Sequence, residues 1–308
     1  MRGRGGPSNR GVALLLVLWA LVLLGTLALG FSWSMRTEAM AARNGIDGTR
    51  AYFQARTGVS RAVALLASLP ADNVLASSIT GEDGDASYAV RIESESGKVN
   101  VNLVDGEVLL GMLRKAGLPE EEAEGIRDAI LDWRDEDDVP RPFGAERGEY
   151  ERMAEPVVPR NGEIRGIGEL MSVRGVTKEL YDAFLSKVFT VHGKSAQVSF
   201  LRAPEVVLRS LPGVSAEAVD RIVAGRKEEP PISAERLAAM VGEGLLTAQG
   251  LSLVSGGASS NVYTITATGR AGSGVTRVVR CLVEVSGSGE KGVKMLGWLD
   301  MAPREEGG

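Results

Sequence analysis

Between Val12 and Phe31 this 308-residue chain carries no charged side chain. A run of about 20 residues makes roughly 30 Å of helix, the hydrocarbon thickness of a bilayer. Arg2, Arg4 and Arg10 precede it with no acid between them, so the positive-inside rule keeps the N-terminus in the cytoplasm and sends everything after about Met35 across the membrane. The expected chain is therefore a single-pass helix carrying a body on the far side. That body is acidic: the whole chain has 35 basic and 40 acidic residues, a net of −5, and three of the arginines lie before the span. Such a balance argues against a general nucleic-acid binder, which needs clustered positive charge. The single cysteine, Cys281, excludes an internal disulfide and any multi-cysteine zinc site. Packing, helped at most by an oxygen-ligated ion, must hold the fold.

Three kinds of leader compete for this N-terminus. A secretory signal peptide has an apolar region of about 7–15 residues, shorter than this one, and Ala28-Leu29-Gly30 is a weak cleavage site. A plain signal anchor fits by length. A prepilin-type leader fits one more detail, because a short basic peptide ends in Gly11 directly before the apolar residues. In this pattern the chain resembles type IV pilin-like precursors, and the resemblance implies that prepilin peptidase cuts between Gly11 and Val12 and that the new N-terminus is methylated. The fifth mature position is then Leu16. Most of that family carry Glu there, which is thought to neutralise a neighbour's N-terminal amine that would be costly to bury unpaired. Its absence resembles the type K minor pseudopilin of type II secretion, which sits at the filament tip.

No proline interrupts residues 31–69, so one long helix is expected from Val12 to about Leu69, roughly 85 Å if unbroken. Tyr52, Phe53, Val59, Val63 and Leu66 supply an apolar stripe near helical spacing that should pack on the protein's own sheet. Gly45, Gly48 and Gly58 weaken the helix by up to about 1 kcal/mol each relative to Ala. Residues 81–85 read as a turn and residues 87–94 as a half-buried strand. Comparable β-rich text returns only at residues 262–267 and 275–285, with Gly272-Ser273-Gly274 as a hairpin turn between them.

Between these strands lies a helical insert that looks duplicated. A short extended piece, a helix, a tight turn and a second helix occur twice, with Ala116-Gly117-Leu118-Pro119 and Leu211-Pro212-Gly213-Val214 as the turns. The second turn and residues 170–176 resemble helix-hairpin-helix turns, which either let backbone amides approach a phosphate or simply join packed helices. The fold class expected is α+β: a pilin-like long N-terminal helix packed on a small antiparallel sheet, with a large inserted, mostly α-helical domain containing helix-hairpin-helix-like (SAM-like) repeats. The expected organisation is a leader at 1–11, the transmembrane part of the helix at 12–35, the rest of the helix and a first strand at 36–96, two inserted α-domains at 97–193 and 194–260, a closing hairpin at 261–286 and a tail at 287–308.

The richest chemical text is residues 132–151, where Asp132, Asp135, Glu136, Asp137, Asp138, Glu146, Glu149 and Glu151 crowd around Pro140, Pro142 and Gly144. Hard cations such as Ca²⁺ take six to eight oxygen ligands; a solvated acidic loop is the alternative. The spacing is not that of an EF-hand, since Pro140 stands where the sixth-position glycine belongs. Type K pseudopilins carry a similar stretch and are associated with calcium, and that resemblance implies Asp135, Asp137 and Glu146 as ligands, followed by Asp138 and then Asp132. Arg134, Arg141 and Arg147 could instead satisfy part of the charge.

Catalytic residues are not expected. His192 is the only histidine, and Ser288-Gly289-Glu290-Lys291 has the Ser-x-x-Lys spacing without opening a helix. The resemblance implies an inner-membrane chain with a periplasmic body, and as partners the minor pseudopilins of types I and J, met through the N-terminal helix and pilin-like domain, together with prepilin peptidase and the inner-membrane secretion platform. It implies a role at the pseudopilus tip in starting filament assembly and protein export, and no nucleic-acid partner. A membrane-anchored DNA receptor of the competence type is the competing function.

Overall fold

The computed structural model describes residues 10–68, 77–153, 155–228, 231–257, 260–286 and 292–301. Helix α1 runs Arg10–Ser68 without a break. Its first half has no partner among the described residues: the apolar side chains from Leu14 to Phe31 are all exposed, and this is the segment long and apolar enough to cross a membrane. Burial begins at Gly48 and continues through Ala51, Ala55, Val59, Ala62 and Leu66, the three- and four-residue spacing of one helix face. Of the stripe expected from the large side chains, Val59 and Leu66 are buried against the sheet and Tyr52 and Val63 pack on the same cluster. Phe53 is the correction, at 55% exposed; the closest approach to the sheet is made by small residues that let backbone approach backbone.

That contact is with a five-stranded antiparallel sheet. Strands β1 (Ser77–Asp83) and β2 (Ala86–Ser94) precede the insert. Strands β7 (Val262–Arg270), β8 (Thr276–Val285) and β9 (Val293–Met301) follow it, and the order is β1-β2-β7-β8-β9. Residues 81–83, expected in a turn, extend β1; the turn itself is Gly84-Asp85, with Gly84 at φ +62. The tail expected from residue 287 contains the edge strand β9. Glycines set the spacing between helix and sheet. A Cβ on Gly269 would lie 1.9 Å from the Ala51 carbonyl oxygen, and one on Gly58 would lie 2.7 Å from Val90 Cγ2, so Gly58 serves packing rather than merely weakening α1.

The insert leaves β2 at Ser94 and re-enters β7 beside Tyr263, its register partner. Gly269 touches α1 at Ala51. From there Leu66 is about 22 Å further along the helix, and Tyr263 is about 20 Å back along β7. The insert therefore emerges at the end of the frame farthest from the apolar span.

Inside the insert, the first copy comprises β3 (Val99–Asn100), α2 (Gly106–Lys115), α3 (Glu120–Arg134), α4 (Arg147–Tyr150), α5 (Lys178–Leu180), α6 (Ser186–Val188) and β4 (Phe189–Thr190). The second comprises β5 (Val198–Ser199), α7 (Glu205–Ser210), α8 (Ala216–Gly225), α9 (Ala234–Gly242), α10 (Ala248–Ser252) and β6 (Val254–Ser255). Each copy is closed by a parallel two-residue ladder, β3 with β4 and β5 with β6. Helix starts follow local chemistry: Asp105, Thr177, Ser215, Ser233 and Thr247 accept backbone N–H groups as N-caps, and Pro119 and Pro204 stand before α3 and α7. One hydrophobic cluster, from Val99 to Val254, runs through both copies. A separate cluster lies between α1 and the sheet.

The two bodies meet at a buried ion pair. Glu95 is 4% exposed, takes the Lys98 ammonium at 2.8 Å and accepts the Thr264 hydroxyl of β7 at 2.7 Å. Burial pushes its carboxyl up, but Lys98 and hydrogen bonds from Lys98, Thr190 and Thr264 together hold it below the usual glutamate value. Thr190 belongs to the insert and Thr264 to the sheet, so one carboxylate ties both.

Candidate metal centre

Helix α3 presents Asp128, Asp132 and, as its C-cap, Asp135 along one face, the i, i+4, i+7 spacing that superposes side chains. The chain then folds back over that face. Asp128 accepts the Phe143 N–H at 3.2 Å and Asp132 accepts the Arg141 N–H at 3.2 Å, so two helix carboxylates hold the loop by its backbone. Gly144 is required at the crossing, since a Cβ there would fall 1.8 Å from Asp132 Oδ2. Trp133 and Tyr150 pack edge to face at 5.2 Å, and the Tyr150 hydroxyl accepts the Arg174 N–H, which fixes α4 beneath the loop.

This fold brings Asp135, Asp137 and Glu146 together, with one carboxylate oxygen of each within 4.8 Å of the others. Ligands at 2.3–2.6 Å from one hard cation stand no more than about 5 Å apart, so the spacing fits. Glu146 is 2% exposed and neither of its oxygens has a hydrogen-bond donor; Asp135 Oδ1 is also without one. Buried acceptors left in this state are costly. Burial first, and then repulsion from Asp132, Asp135, Asp138 and Asp137, push the Glu146 carboxyl up to about 7. These orphaned oxygens and the surplus of negative charge fit an oxygen-ligated cation.

Asp132 and Asp138 are held differently. Asp132 is fully buried and shares the Arg141 guanidinium with Asp135, both at 2.6 Å. Burial pushes the Asp132 carboxyl up, an effect that Arg141 partly opposes. Asp138 accepts the Asn161 amide at 2.8 Å and lies 3.8 Å from Arg147, an exposed pair. Of the three arginines considered as internal counter-charges, Arg134 turns away, donating to the Val101 and Val104 carbonyls. Arg141 alone reaches into the cluster, and it does not reach Glu146.

Two residues of the site have no role in the sequence reading. Asp128 is a buried loop anchor whose signal is its spacing from Asp132 on α3. Asn161, at φ +46, donates to the Asp137 carbonyl and to Asp138, while its own side-chain oxygen, buried, has no donor; the Asn-Gly dipeptide marks a turn without revealing where it docks. Behind Asn161 lies a cavity of about 460 Å³ bordered by Arg160, Arg165 and His192. Leu16 is exposed on α1. Gly11 and Val12 fall in its first turn, their side chains outside the described residues, as are residues 1–9 and 287–291, the latter including Ser288 and Lys291.

The DNA-receptor alternative is not favoured by the hairpin geometry. Gly213 at φ +73 packs against Gly250, its carbonyl accepts the Thr247 N–H at 2.8 Å, and Val214 bridges to Leu246. The hairpin is thus turned onto the second helix pair of its own copy.

Comparison with known proteins points the same way. Residues 90–192 match the family model described as type II secretion system protein K. A putative type II secretion system protein K of Escherichia coli strain K12 is 25% identical over 202 residues, covering 58% of this chain and 62% of that protein. A type II secretion system protein K of Pectobacterium carotovorum subsp. carotovorum is 35% identical over 77 residues, 25% of this chain and 24% of the relative. The matches thus span less than two thirds of these relatives' length. A chain from the crystal structure of the GspK-GspI-GspJ complex of the enterotoxigenic Escherichia coli type 2 secretion system aligns with a TM-score of 0.63 at 15% identity, over 87% of this chain and 100% of that one, and so shares the fold. The family resemblance expected from the sequence is supported to this extent: residues 90–192 are similar to the type II secretion system protein K domain, and the chain shares the fold of that complex's matching chain.

Proposed function

We propose that the chain is a minor pseudopilin at the tip of a type II secretion pseudopilus, an assembly protein rather than an enzyme, helping to start the filament and hence protein export across the outer membrane. Its helix first anchors it in the inner membrane with the N-terminus cytoplasmic and the body periplasmic. Prepilin peptidase then cuts at Gly11/Val12, Val12 is methylated, and the lower half of α1 packs beside pseudopilins of types I and J on the inner-membrane secretion platform. The observation that carries this reading is the position of the insert. It emerges beyond the end of the frame opposite the span, where it would overhang a filament end and obstruct the next subunit of a shaft. Mass spectrometry of the mature chain from membranes tests the proposal: methylated Val12 is the expected N-terminus, and an intact Met1 or a cut near Gly30 defeats it.

Calcium is proposed at the acidic loop, with Asp135, Asp137 and Glu146 as ligands and Asp138 and Asn161 at its margin. Asp132 acts there as the anchor of the loop. The ion supplies the positive charge that three close carboxylates lack, and Asp128 and Asp132 keep the loop backbone in place around it. Metal-stripped full-length protein should melt lower than the same protein with calcium, by about 2.7 kcal/mol of added stability at one hundred times the dissociation constant. Superimposable melts with calcium and with chelator would show the loop to be merely solvated.

A further inference from the structure

Helix α1 covers one face of the five-stranded sheet, the face that carries Val90, Ile92, Ile265 and Cys281. The opposite face has no such cover. Side chains alternate along a strand, so the register fixes what lies there. Arg91 of β2 pairs with Thr266 of β7, and Thr266 pairs with Arg280 of β8, so two arginines flank one threonine in a single row. Neighbouring strands stand about 4.8 Å apart, which puts the Cα atoms of these arginines roughly 10 Å from each other. The next row is Ala89, Thr268 and Val278, with Arg270 beyond it toward the membrane end. Arg91, Arg270 and Arg280 are all exposed, and none has an ion pair or a side-chain hydrogen bond to an acid among the described residues. The acids of this face stand at its margins: Glu82 on the edge strand β1, and Glu93 and Glu284 toward the insert. The insert itself walls the face at that end. Glu95 accepts the Thr264 hydroxyl, and Tyr181 lies close enough that Arg280 partly opposes the upward push of burial on its hydroxyl.

Unpaired arginines gathered on one face of an acidic chain call for a negative partner. A guanidinium is always charged and presents a fork that fits a carboxylate. The face runs alongside α1, whose first half is the membrane segment, so it stands on edge to the bilayer and cannot lie flat on a plane of headgroups. Three arginines on a chain of net charge −5 are too few for a nucleic-acid backbone. We propose that the uncovered face of the sheet, at Arg91, Thr266 and Arg280, docks an acidic segment of another protein, whose carboxylates take the two guanidinium groups while its chain rests on Thr266, Thr268 and Val278. This site depends neither on calcium nor on a position at a filament tip.

The experiment uses the full chain in non-ionic detergent micelles at low salt, with a short fluorescent peptide of alternating Glu and Thr as the probe and anisotropy as the readout. The peptide should bind saturably, and its Gln-Thr counterpart should not compete. Arg91→Gln combined with Arg280→Gln should weaken binding about tenfold, the scale of two exposed charge pairs. Arg36→Gln combined with Arg43→Gln, on the exposed lower half of α1, removes the same charge and should leave the affinity unchanged. Equal loss in both pairs overturns the proposal, because attraction would then be general. Anionic phospholipid vesicles that displace the peptide from the unsubstituted chain but not from the Arg91/Arg280 pair also overturn it, in favour of lipid. So does a chain ending at Met301 that binds about tenfold tighter than the full chain, since Glu305 and Glu306 would then be the occupants. Should the glutamine pair fail to fold, Arg91→Lys with Arg280→Lys decides: it keeps the charge, loses the fork and should weaken binding about threefold, and an unchanged affinity overturns the assignment.

Discussion

At the scale of single residues, two buried glutamates behave oppositely because of what surrounds them. Glu146 stands among carboxylates with no donor on either oxygen, so replacing it with Gln removes a repelled charge. Glu146→Gln should melt no lower than the unsubstituted protein in chelator, while losing most of the stabilisation that calcium confers; paired melts with calcium and with chelator check both. Glu95 has a cation and hydroxyl donors, and its folded-state carboxyl lies below the ordinary value of 4.5. The stability that it contributes is fully present above about pH 4.5 and is lost as the pH falls through the lowered value. Glu95→Gln should flatten the acid limb of the stability curve, and Glu95→Ala should cost about 3–5 kcal/mol by stranding Lys98; denaturant melts across acidic pH measure both effects. Four acids in succession at 135–138 already pose a charge problem in the sequence, but the choice of Asp135, Asp137 and Glu146 rests on the family resemblance, not on that run. Asp128 and Asn161 were not legible there, since their roles exist only once a loop has folded back on a helix and a distant turn has docked against it.

At the scale of elements, the long helix and the central strands were readable from periodicity. How closely the helix approaches the sheet was not. Val59, Val63 and Leu66 pack where the large side chains suggested, but Phe53 does not, and the same face also carries Gly48, Ala51, Ala55 and Ala62, since close approach there requires small residues on both partners. Gly269→Ala tests this: its new Cβ would meet the Ala51 carbonyl, and the overpacking should destabilise the frame by about 1–3 kcal/mol, seen as a lower melting temperature. Ala42→Ser, on the exposed lower half of α1, should leave that temperature unchanged. Strand β9 escaped the sequence reading because residues 293–301 do not alternate cleanly. Met295, Trp298 and Leu299 are all exposed, as befits an edge strand with one neighbour.

At the scale of the whole molecule, the frame and the insert have separate cores and share one short junction. Ser94 and Tyr263 are register partners on adjacent strands, so the chain can pass from one to the other without the insert. Replacing residues 97–260 with a short Gly-Ser linker should leave a folded, protease-resistant frame, recognisable by circular dichroism and by retained burial of Cys281; collapse of the frame would show that the sheet depends on its insert. The duplication inside the insert could be read from the sequence, but its single shared core could not, because contacts such as Gly111 with Pro212 join residues about a hundred positions apart. The placement of the junction also has a mechanical consequence. The insert is attached at one end of β2 and β7, and the membrane helix lies along the same strands with its span at the other end. A thrust or pull between them runs parallel to these strands, so the rungs of the β2–β7 ladder share the load in shear instead of opening one after another, and the sheet acts as a strut.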